Sequence, residues 1–172
     1  EFPLVVVSVC YADTDTVALA DIKLPAQGWG EKDGTVTNSE RCISRQRRFA
    51  EPAFDARADW KIVCDVAQAM GFRYGFDFTS PAQIFAEHAA LSAFENGGER
   101  LFDLTAYAHM TEATFDQMQP LSWPPNRRPF GDLHFSTPDG RARFVASSAS
   151  QRTANPSDFP LLLNTGRLRD QW

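Results

Sequence analysis

The sequence predicts an α/β fold in which an open, partly parallel sheet is flanked by helices. Residues 3–11, PLVVVSVCY, form a valine-rich apolar run, which is typical of a strand buried on both faces of a parallel sheet. ADTDTVALAD follows as a short helix, and DIKLP then gives a second short strand that Pro25 ends. Strand, helix and strand in this order are the beginning of an α/β layer.

Composition limits the kind of protein this can be. The chain has 172 residues, 43% hydrophobic and 23% charged, which suits one ordinary globular domain. The net charge of -5 argues against a general nucleic-acid binder, and no apolar run approaches the ~20 residues of a membrane helix. The three cysteines lack metal-ligand spacing and fit a reducing compartment, and no secretory signal is recognisable at the start.

Further elements follow along the chain. TVTN and RCISRQ predict two strands after a glycine-rich loop, Gly28–Gly34. Residues 56–72, ARADWKIVCDVAQAMGF, predict the clearest helix, with Asp59 as N-cap, Cys64 as a small core residue and Gly71 closing the end. Its expected apolar face consists of Trp60, Val63, Ala67 and Met70, with Ile62 and Val66 beside it.

A second helix is predicted over SPAQIFAEHAALS, where Ser80 and Gln83 have capping-box spacing and Pro81 occupies the first turn. Its expected apolar side consists of Ile84, Phe85, His88 and Leu91. A weaker helix over 111–118, an irregular proline-rich connector over 119–132 and a β-hairpin over 133–145 that turns at Thr137–Gly140 complete the pattern.

The predicted organisation is a main segment over residues 3–146, a small and polar linker over 147–158, and the start of another domain over 159–172. That last segment, FPLLLNTGRLRDQW, begins as a strand just before the sequence stops. We therefore expect the chain to be part of a longer polypeptide.

The stretch GWGEKDGTVTNSERCISRQRR, Gly28 to Arg48, concentrates positive charge in an acidic protein. Glycines allow close approach of a ligand to the backbone, and Lys32 offers an ammonium suited to phosphate. The alternative is a surface hairpin whose arginines, at 41, 45, 47 and 48, are solvated or paired with Glu31, Glu40 and Glu51. Residue types alone favour this alternative slightly.

Two further residues have both a structural and a ligand-binding interpretation. Asp59 is explained by capping a helix, although a carboxylate also accepts two hydrogen bonds from the N1–H and N2–H edge of a guanine. Ser8 ends the first strand, where ligands of open α/β sheets bind, or it is an ordinary polar residue there. No hydrolase, zinc or phosphate-loop motif is present in the sequence.

Together these pieces resemble the molybdopterin oxidoreductase family, and the likeness is greatest to the catalytic subunit of assimilatory nitrate reductase. WGEKDGTVTNSER is the most specific part, and TGRLRDQW is the next. The resemblance covers nearly the whole chain. It implies part of the third, nucleotide-binding domain and the start of the fourth, β-barrel-like one. It also implies a molybdenum cofactor with two molybdopterin guanine dinucleotides.

The resemblance assigns cofactor contacts to the following residues: Ser8, Lys32, Asp59, Thr165, Gly166, Arg167, Gln171 and Trp172. Val9 stands where the family often has an acid. The resemblance further implies a 4Fe-4S cluster and a molybdenum ligand outside this chain, a cytoplasmic location, and contact with the remaining domains. The expected electron donor is a reductase subunit, ferredoxin or flavodoxin, and no nucleic acid or membrane is expected as a partner. Two alternatives stay open: a formate dehydrogenase-like enzyme, and a non-catalytic interaction domain.

Overall fold

A computed structural model describes residues 2–125, 130–135, 137–148, 161 and 166. The chain divides into two compact units, Glu1–Arg141 and Ala142–Trp172. In the second unit, residues 142–148 are exposed and form neither helix nor strand. Most of the predicted linker and of the domain start after it lies outside the described residues, so the predicted division of the chain stays a prediction. All elements below belong to the first unit.

The opening strand-helix-strand unit is confirmed. Strand β1 (Val6–Val9) pairs in parallel with β2 (Ile22–Pro25), and helix α1 (Asp15–Ala18) connects them. The hydroxyl of Thr14 caps α1 by accepting a hydrogen bond from the Val17 N–H at 3.2 Å. The expected burial of β1 on both faces is wrong, because its side chains alternate between exposed and half-buried. A parallel strand is buried on both faces only where helices cover both sides of its sheet, and the helix that joins β1 to β2, α1, has only four residues.

The two strands predicted after the glycine loop form an antiparallel hairpin of β3 (Gly34–Thr37) and β4 (Cys42–Gln46). A 3₁₀ turn (Trp29–Glu31) leads into it. A short strand, β5 (Leu121–Ser122), pairs with the other edge of β4. The prediction that the connector over 119–132 is wholly irregular is therefore wrong at β5. This strand has only two residues, too few to show an alternating pattern in the sequence.

The helix predicted over 56–72 is α2 (Asp59–Ala69), and Gly71 follows it with a φ of 94°. The expected N-cap is wrong, because Ala58 occupies that position and Asp59 is the first helical residue. The expected apolar face is correct for Ala67, which is buried, and wrong for Val63 and Met70, which are exposed. Cys64 is buried, as predicted for a small core residue.

The second predicted helix is α3 (Pro81–Ala93). The expected capping box is wrong, since the buried Ser80 hydroxyl has no hydrogen-bond partner and the Gln83 side chain accepts from the Thr79 N–H at 2.9 Å. The buried side of α3 is rotated from the expected one, so that His88 and Leu91 are exposed. Its buried residues are Ala82, Phe85, Ala89 and Ser92.

The remaining elements are short. The weak helix expected over 111–118 is α4 (Glu112–Asp116), and a 3₁₀ turn (Thr105–Tyr107) precedes it. The turn at Thr137–Gly140 closes through a 2.9 Å hydrogen bond from the Gly140 N–H to the Thr137 carbonyl, but neither of its arms forms a strand among the described residues. Within the described ranges, no helix is long and apolar enough to cross a membrane.

The main core lies between the β3–β4–β5 sheet and helices α3 and α4. Phe85 of α3 and Phe115 of α4 pack with their ring centroids 5.7 Å apart. The other buried members of this core are Ile43, Ala82, Ala89, Leu104, Met118 and Leu121. The hairpin is thus anchored on the helical layer, while its N-terminal end reaches towards α2.

Arg45 of β4 carries a charge into this core. Its side chain is 4% exposed and donates to both carboxylate oxygens of Asp33, at 2.5 and 3.1 Å, and to Asp116 at 3.0 Å. The guanidinium carbon lies 4.1 Å from the centroid of the Phe115 ring. Burial disfavours the charged form, but the hydrogen bonds and charges of the two carboxylates outweigh it, so the pKa of Arg45 is raised.

We expect Arg45→Ala to lower the free energy of unfolding by about 2–3 kcal/mol, because it removes charge-assisted hydrogen bonds that are shielded from water. Urea unfolding followed by fluorescence measures this loss. Arg48→Ala is the matched control: Arg48 pairs with Glu51 at 3.7 Å in an exposed position, so a change of less than about 0.5 kcal/mol is expected. Equal losses in the two variants would contradict the role assigned to Arg45.

Candidate functional site

The structure brings together two of the residues predicted to contact a ligand. The ammonium of Lys32 lies 2.7 Å from a carboxylate oxygen of Asp59. Lys32 follows the 3₁₀ turn, and Asp59 opens α2, where the helix dipole favours a negative charge. Their side chains are 35% and 58% exposed respectively, so an approaching ligand can reach both groups.

Glu31 holds the loop that presents Lys32. Its carboxylate accepts hydrogen bonds from the backbone N–H of Gly28 at 2.7 Å and of Ala53 at 2.9 Å. It therefore closes the 3₁₀ turn and joins it to the loop before α2. Sequence reasoning considered Glu31 only as a partner for arginines and missed this role. The three-residue spacing from Gly28, which is that of a capping box, was the available signal.

Gly30 lets the same loop approach closely. The N–H groups of Phe49 and Ala50 both donate to its carbonyl, at 2.9 and 3.1 Å. The Phe49 ring covers the glycine, and a Cβ at this position would come within 2.7 Å of the ring. A larger residue at position 30 would therefore displace the exposed Phe49 ring from its place over this loop.

A cavity of about 520 Å³ opens beyond the carboxyl ends of the parallel strands β1 and β2. Its floor includes the buried side chains of Val17 and Ala26, and Glu31 forms part of its wall. We call it the strand-end cavity. Ligands of open α/β sheets bind in this position. Lys32 and Asp59 are not among the described residues that line this cavity.

The other predicted site residues are placed differently. Ser8 is exposed in β1 opposite Leu24, and its neighbour Val9, not Ser8 itself, lies among the described residues that line the strand-end cavity. Gly166 is exposed. Four of the predicted contacts lie outside the described residues and stay predictions: Thr165, Arg167, Gln171 and Trp172.

The arginines at 41, 45, 47 and 48 lie in or beside β4 of the hairpin, and each contacts another residue of this chain. Arg45 is buried between two aspartates, Arg47 donates to the Asp116 carbonyl, and Arg48 pairs with Glu51. Arg41 lies over the Trp123 ring, 5.6 Å from its centroid. The structural interpretation of this segment is therefore correct for the pair with Glu51, but the acids that neutralise Arg45 are Asp33 and Asp116 rather than Glu31 or Glu40.

Comparison with known proteins identifies the family. Residues 2–69 match the sequence profile of the molybdopterin oxidoreductases, and relatives that match nearly the whole chain are described below. The chain belongs to the molybdopterin oxidoreductase family. The matched range contains β1, β2, the hairpin and α2, including both Lys32 and Asp59.

The relatives of this molybdopterin oxidoreductase chain are much longer. A nitrate reductase of Klebsiella oxytoca is 47% identical over 99% of this chain and 20% of its own length. A nitrate reductase of Shewanella frigidimarina is 46% identical over 99% of this chain and 19% of its own length. The F420-dependent formate dehydrogenase 2 subunit alpha of Methanococcus maripaludis is 34% identical over 90% of this chain and 22% of its own length. The chain thus spans about a fifth of these relatives.

Within the described ranges, no group of three or more histidine, cysteine, aspartate and glutamate side chains is placed to hold a metal ion. What this part of the chain offers is an accessible ammonium and carboxylate in contact and, separately, an apolar cavity beyond the strand ends.

We expect Glu31→Gln to loosen the loop before α2, because glutamine has a single acceptor oxygen and cannot satisfy both backbone N–H groups. Hydrogen exchange of the Gly28 or the Ala53 amide, whichever loses its acceptor, should become about fivefold faster, which corresponds to the loss of about 1 kcal/mol. Glu40→Gln in the exposed turn between β3 and β4 is the control and should leave both exchange rates unchanged. Unchanged rates of both amides in Glu31→Gln would show that Glu31 does not hold the loop.

Proposed function

We propose that this chain is the cofactor-binding segment of a molybdenum-dependent nitrate reductase that reduces nitrate to nitrite in nitrate assimilation. The family assignment and the identity of 46–47% to two nitrate reductases over 99% of the chain support this proposal. Because the chain spans about a fifth of those relatives, we expect it to have no nitrate reductase activity by itself.

The proposed cofactor is molybdenum held by two molybdopterin guanine dinucleotides. When bound, this group supplies the two-electron redox chemistry of the reaction. The single observation that carries the proposal is the contact of the Lys32 ammonium with the Asp59 carboxylate at 2.7 Å in an accessible position. One cation for a pyrophosphate and one carboxylate for a guanine edge are the groups that such a dinucleotide requires.

The ion pair does not have to break for the cofactor to bind. A lysine ammonium has three donors, and the hydrogen bond to Asp59 uses one of them. The carboxylate has two oxygens with two acceptor sites each, and Lys32 contacts one of these oxygens. Lys32 can therefore donate to a phosphate while Asp59 accepts from guanine, and each residue fixes the position of the other.

The rest of the enzyme is proposed to lie outside this chain. It comprises the remaining domains of the same polypeptide, which hold the molybdenum ligand and a 4Fe-4S cluster. A reductase subunit, ferredoxin or flavodoxin is the proposed electron donor, and the cytoplasm is the proposed location. Ser8 and the segment from Thr165 to Trp172 are proposed as further contacts to the dinucleotide.

A formate dehydrogenase is the second candidate, because formate dehydrogenase subunits of two archaea and a putative one of Bacillus subtilis are 30–34% identical to this chain. The identity to nitrate reductases is higher and favours nitrate. A non-catalytic interaction domain is less well supported, since arginines of the hairpin already have partners in the chain. Assaying the longer polypeptide with nitrate and with formate separates the candidates: we expect activity with nitrate, and turnover of formate alone would contradict the proposal.

We expect Lys32→Ala and Asp59→Asn each to weaken binding of GDP to the 172-residue chain about tenfold, because each removes a charge-assisted hydrogen bond to the nucleotide. Titration calorimetry measures the affinity. Inorganic pyrophosphate is the second probe: Lys32→Ala should weaken its binding, whereas Asp59→Asn should not.

Lys61 and Asp65 provide the matched control, since they form a comparable pair at 2.6 Å within α2. The Lys61 ammonium, with help from Arg57, holds the pKa of the Asp65 carboxyl below its usual range. Lys61→Ala and Asp65→Asn should bind GDP as the unsubstituted chain does. A similar loss in all four variants would indicate a general effect of charge and contradict the assignment of Lys32 and Asp59.

A further inference from the structure

Helix α2 is apolar on more sides than the described part of the chain covers. Its polar side chains after the first residue, at 61, 65 and 68, are spaced four and three residues apart and therefore share one side. Cys64 and Ala67 face the interior. A further side carries Val63, Val66 and Met70, again three and four residues apart, which are 57%, 47% and 69% exposed. A helix with apolar residues on most of its sides is typically packed against more than one neighbour.

A groove continues this exposed side of the helix. It has a volume of about 520 Å³ and lies between α2 and the end of β2, whose residues Leu24 and Pro25 line it. Three apolar residues of α2 line its other wall, and one of them, Val66, also belongs to the exposed stripe. The stripe and the groove therefore form one continuous apolar surface. We call its helical part the α2 outer face, which consists of Ile62, Val63, Val66, Ala69 and Met70.

The charges around the groove largely neutralise one another. The Asp65 carboxylate accepts hydrogen bonds from the Arg57 guanidinium at 3.0 Å and from the Lys61 ammonium at 2.6 Å. Asp55 is the other acid that lines the groove, so two acids stand beside two bases. A surface with balanced charge at its rim and apolar side chains at its centre does not favour phosphate or another strongly charged ligand. It fits an apolar protein segment instead.

We propose that the α2 outer face is buried against an apolar segment of the same polypeptide that lies outside these 172 residues. The inference rests on the longer polypeptide of the proposed function and adds the surface through which the two parts pack. The two nitrate reductases that match 99% of this chain extend over about five times its length, so much of their chain is available to cover this face. A segment joined covalently also has an effective concentration of about millimolar, which favours it over a second copy or a separate subunit.

The sequence pattern supports the same conclusion. The apolar face predicted from helical periodicity combines residues that this chain buries, such as Ala67, with residues that it leaves exposed, such as Val63 and Met70. An apolar side chain that always faced water would gain nothing from the apolar spacing. The predicted face is therefore explained by two neighbours of α2, of which the described residues supply one.

The test measures the rate at which maleimide labels single cysteines introduced into α2 of the longer polypeptide. Val66→Cys and Met70→Cys report on the outer face, and Gln68→Cys, exposed on the polar side of the same helix, is the matched control. We expect both outer-face cysteines to react at least about tenfold more slowly than the control, because labelling requires opening of the contact. Peptide mass spectrometry follows each introduced cysteine separately from Cys10, which is also exposed. In the urea-unfolded polypeptide the three rates should become equal.

The same variants of the 172-residue chain identify the occupant. There we expect all three cysteines to react at similar rates at every protein concentration. Labelling of the outer face that slows as the concentration rises would show that a second copy covers it, and would contradict the inference. Slow labelling of the longer polypeptide only after another protein is added would contradict it as well.

A nitrate reduction assay of the same preparations separates this inference from the proposed function. If the longer polypeptide reduces nitrate while both outer-face cysteines react as fast as Gln68→Cys, the inference is wrong and the proposed function stands. If the outer face is protected but nitrate is not reduced, the inference stands and the proposed function is wrong.

Discussion

The buried guanidinium of Arg45 is the interaction on which the arrangement of this chain depends. A charge inside a core is stable only when partners and hydrogen bonds replace water. Asp33 and Asp116 do so for the two terminal nitrogens, and the Phe115 ring packs on the guanidinium, whereas the buried Nε has no hydrogen-bond partner among the described residues. These partners come from the loop before β3 and from α4. The hairpin is thereby fixed on the helical layer. Since Asp33 directly follows Lys32, the same contact limits where the Lys32 ammonium can lie.

The stretch WGEKDG then serves three purposes with three adjacent charged residues. Glu31 binds backbone N–H groups and joins two loops, Lys32 contacts Asp59 at the start of α2, and Asp33 pairs with Arg45 in β4. Glu31 ends the 3₁₀ turn, Lys32 and Asp33 follow it, and each of the three side chains reaches a different element. Charges that suggested a solvated surface in the sequence are therefore mostly internal connections.

Sequence patterns predicted the type and position of the helices and strands better than the side chains that each element buries or the residues that it contacts. Strands β1 to β4, α2 and the parallel pairing were predicted correctly, whereas β5 was missed and the arms of the hairpin predicted over 133–145 form no strand among the described residues. The buried side of α3 was partly wrong, because Ala89 faces the core while the larger Leu91 is exposed. In α2, Ala67 is buried as predicted, but Val63 and Met70 are exposed. Tertiary partners decide which stripe of an apolar helix faces inward. The partners of Arg45 were missed for a similar reason: Asp116 is distant in sequence and reaches it only in the folded chain.

Stability alone does not explain the pair of Lys32 and Asp59. Exposed ion pairs stabilise a fold by about 0–1 kcal/mol, and within α2 the pair of Lys61 and Asp65 supplies a comparable contact between residues one turn apart. Lys32 and Asp59 instead join the start of α2 to a loop that Glu31 and Arg45 both fix. A group held in place before its ligand arrives loses less conformational freedom on binding. A binding site requires neighbouring residues that hold its accessible groups in place. A salt bridge on the surface of a protein has no such requirement.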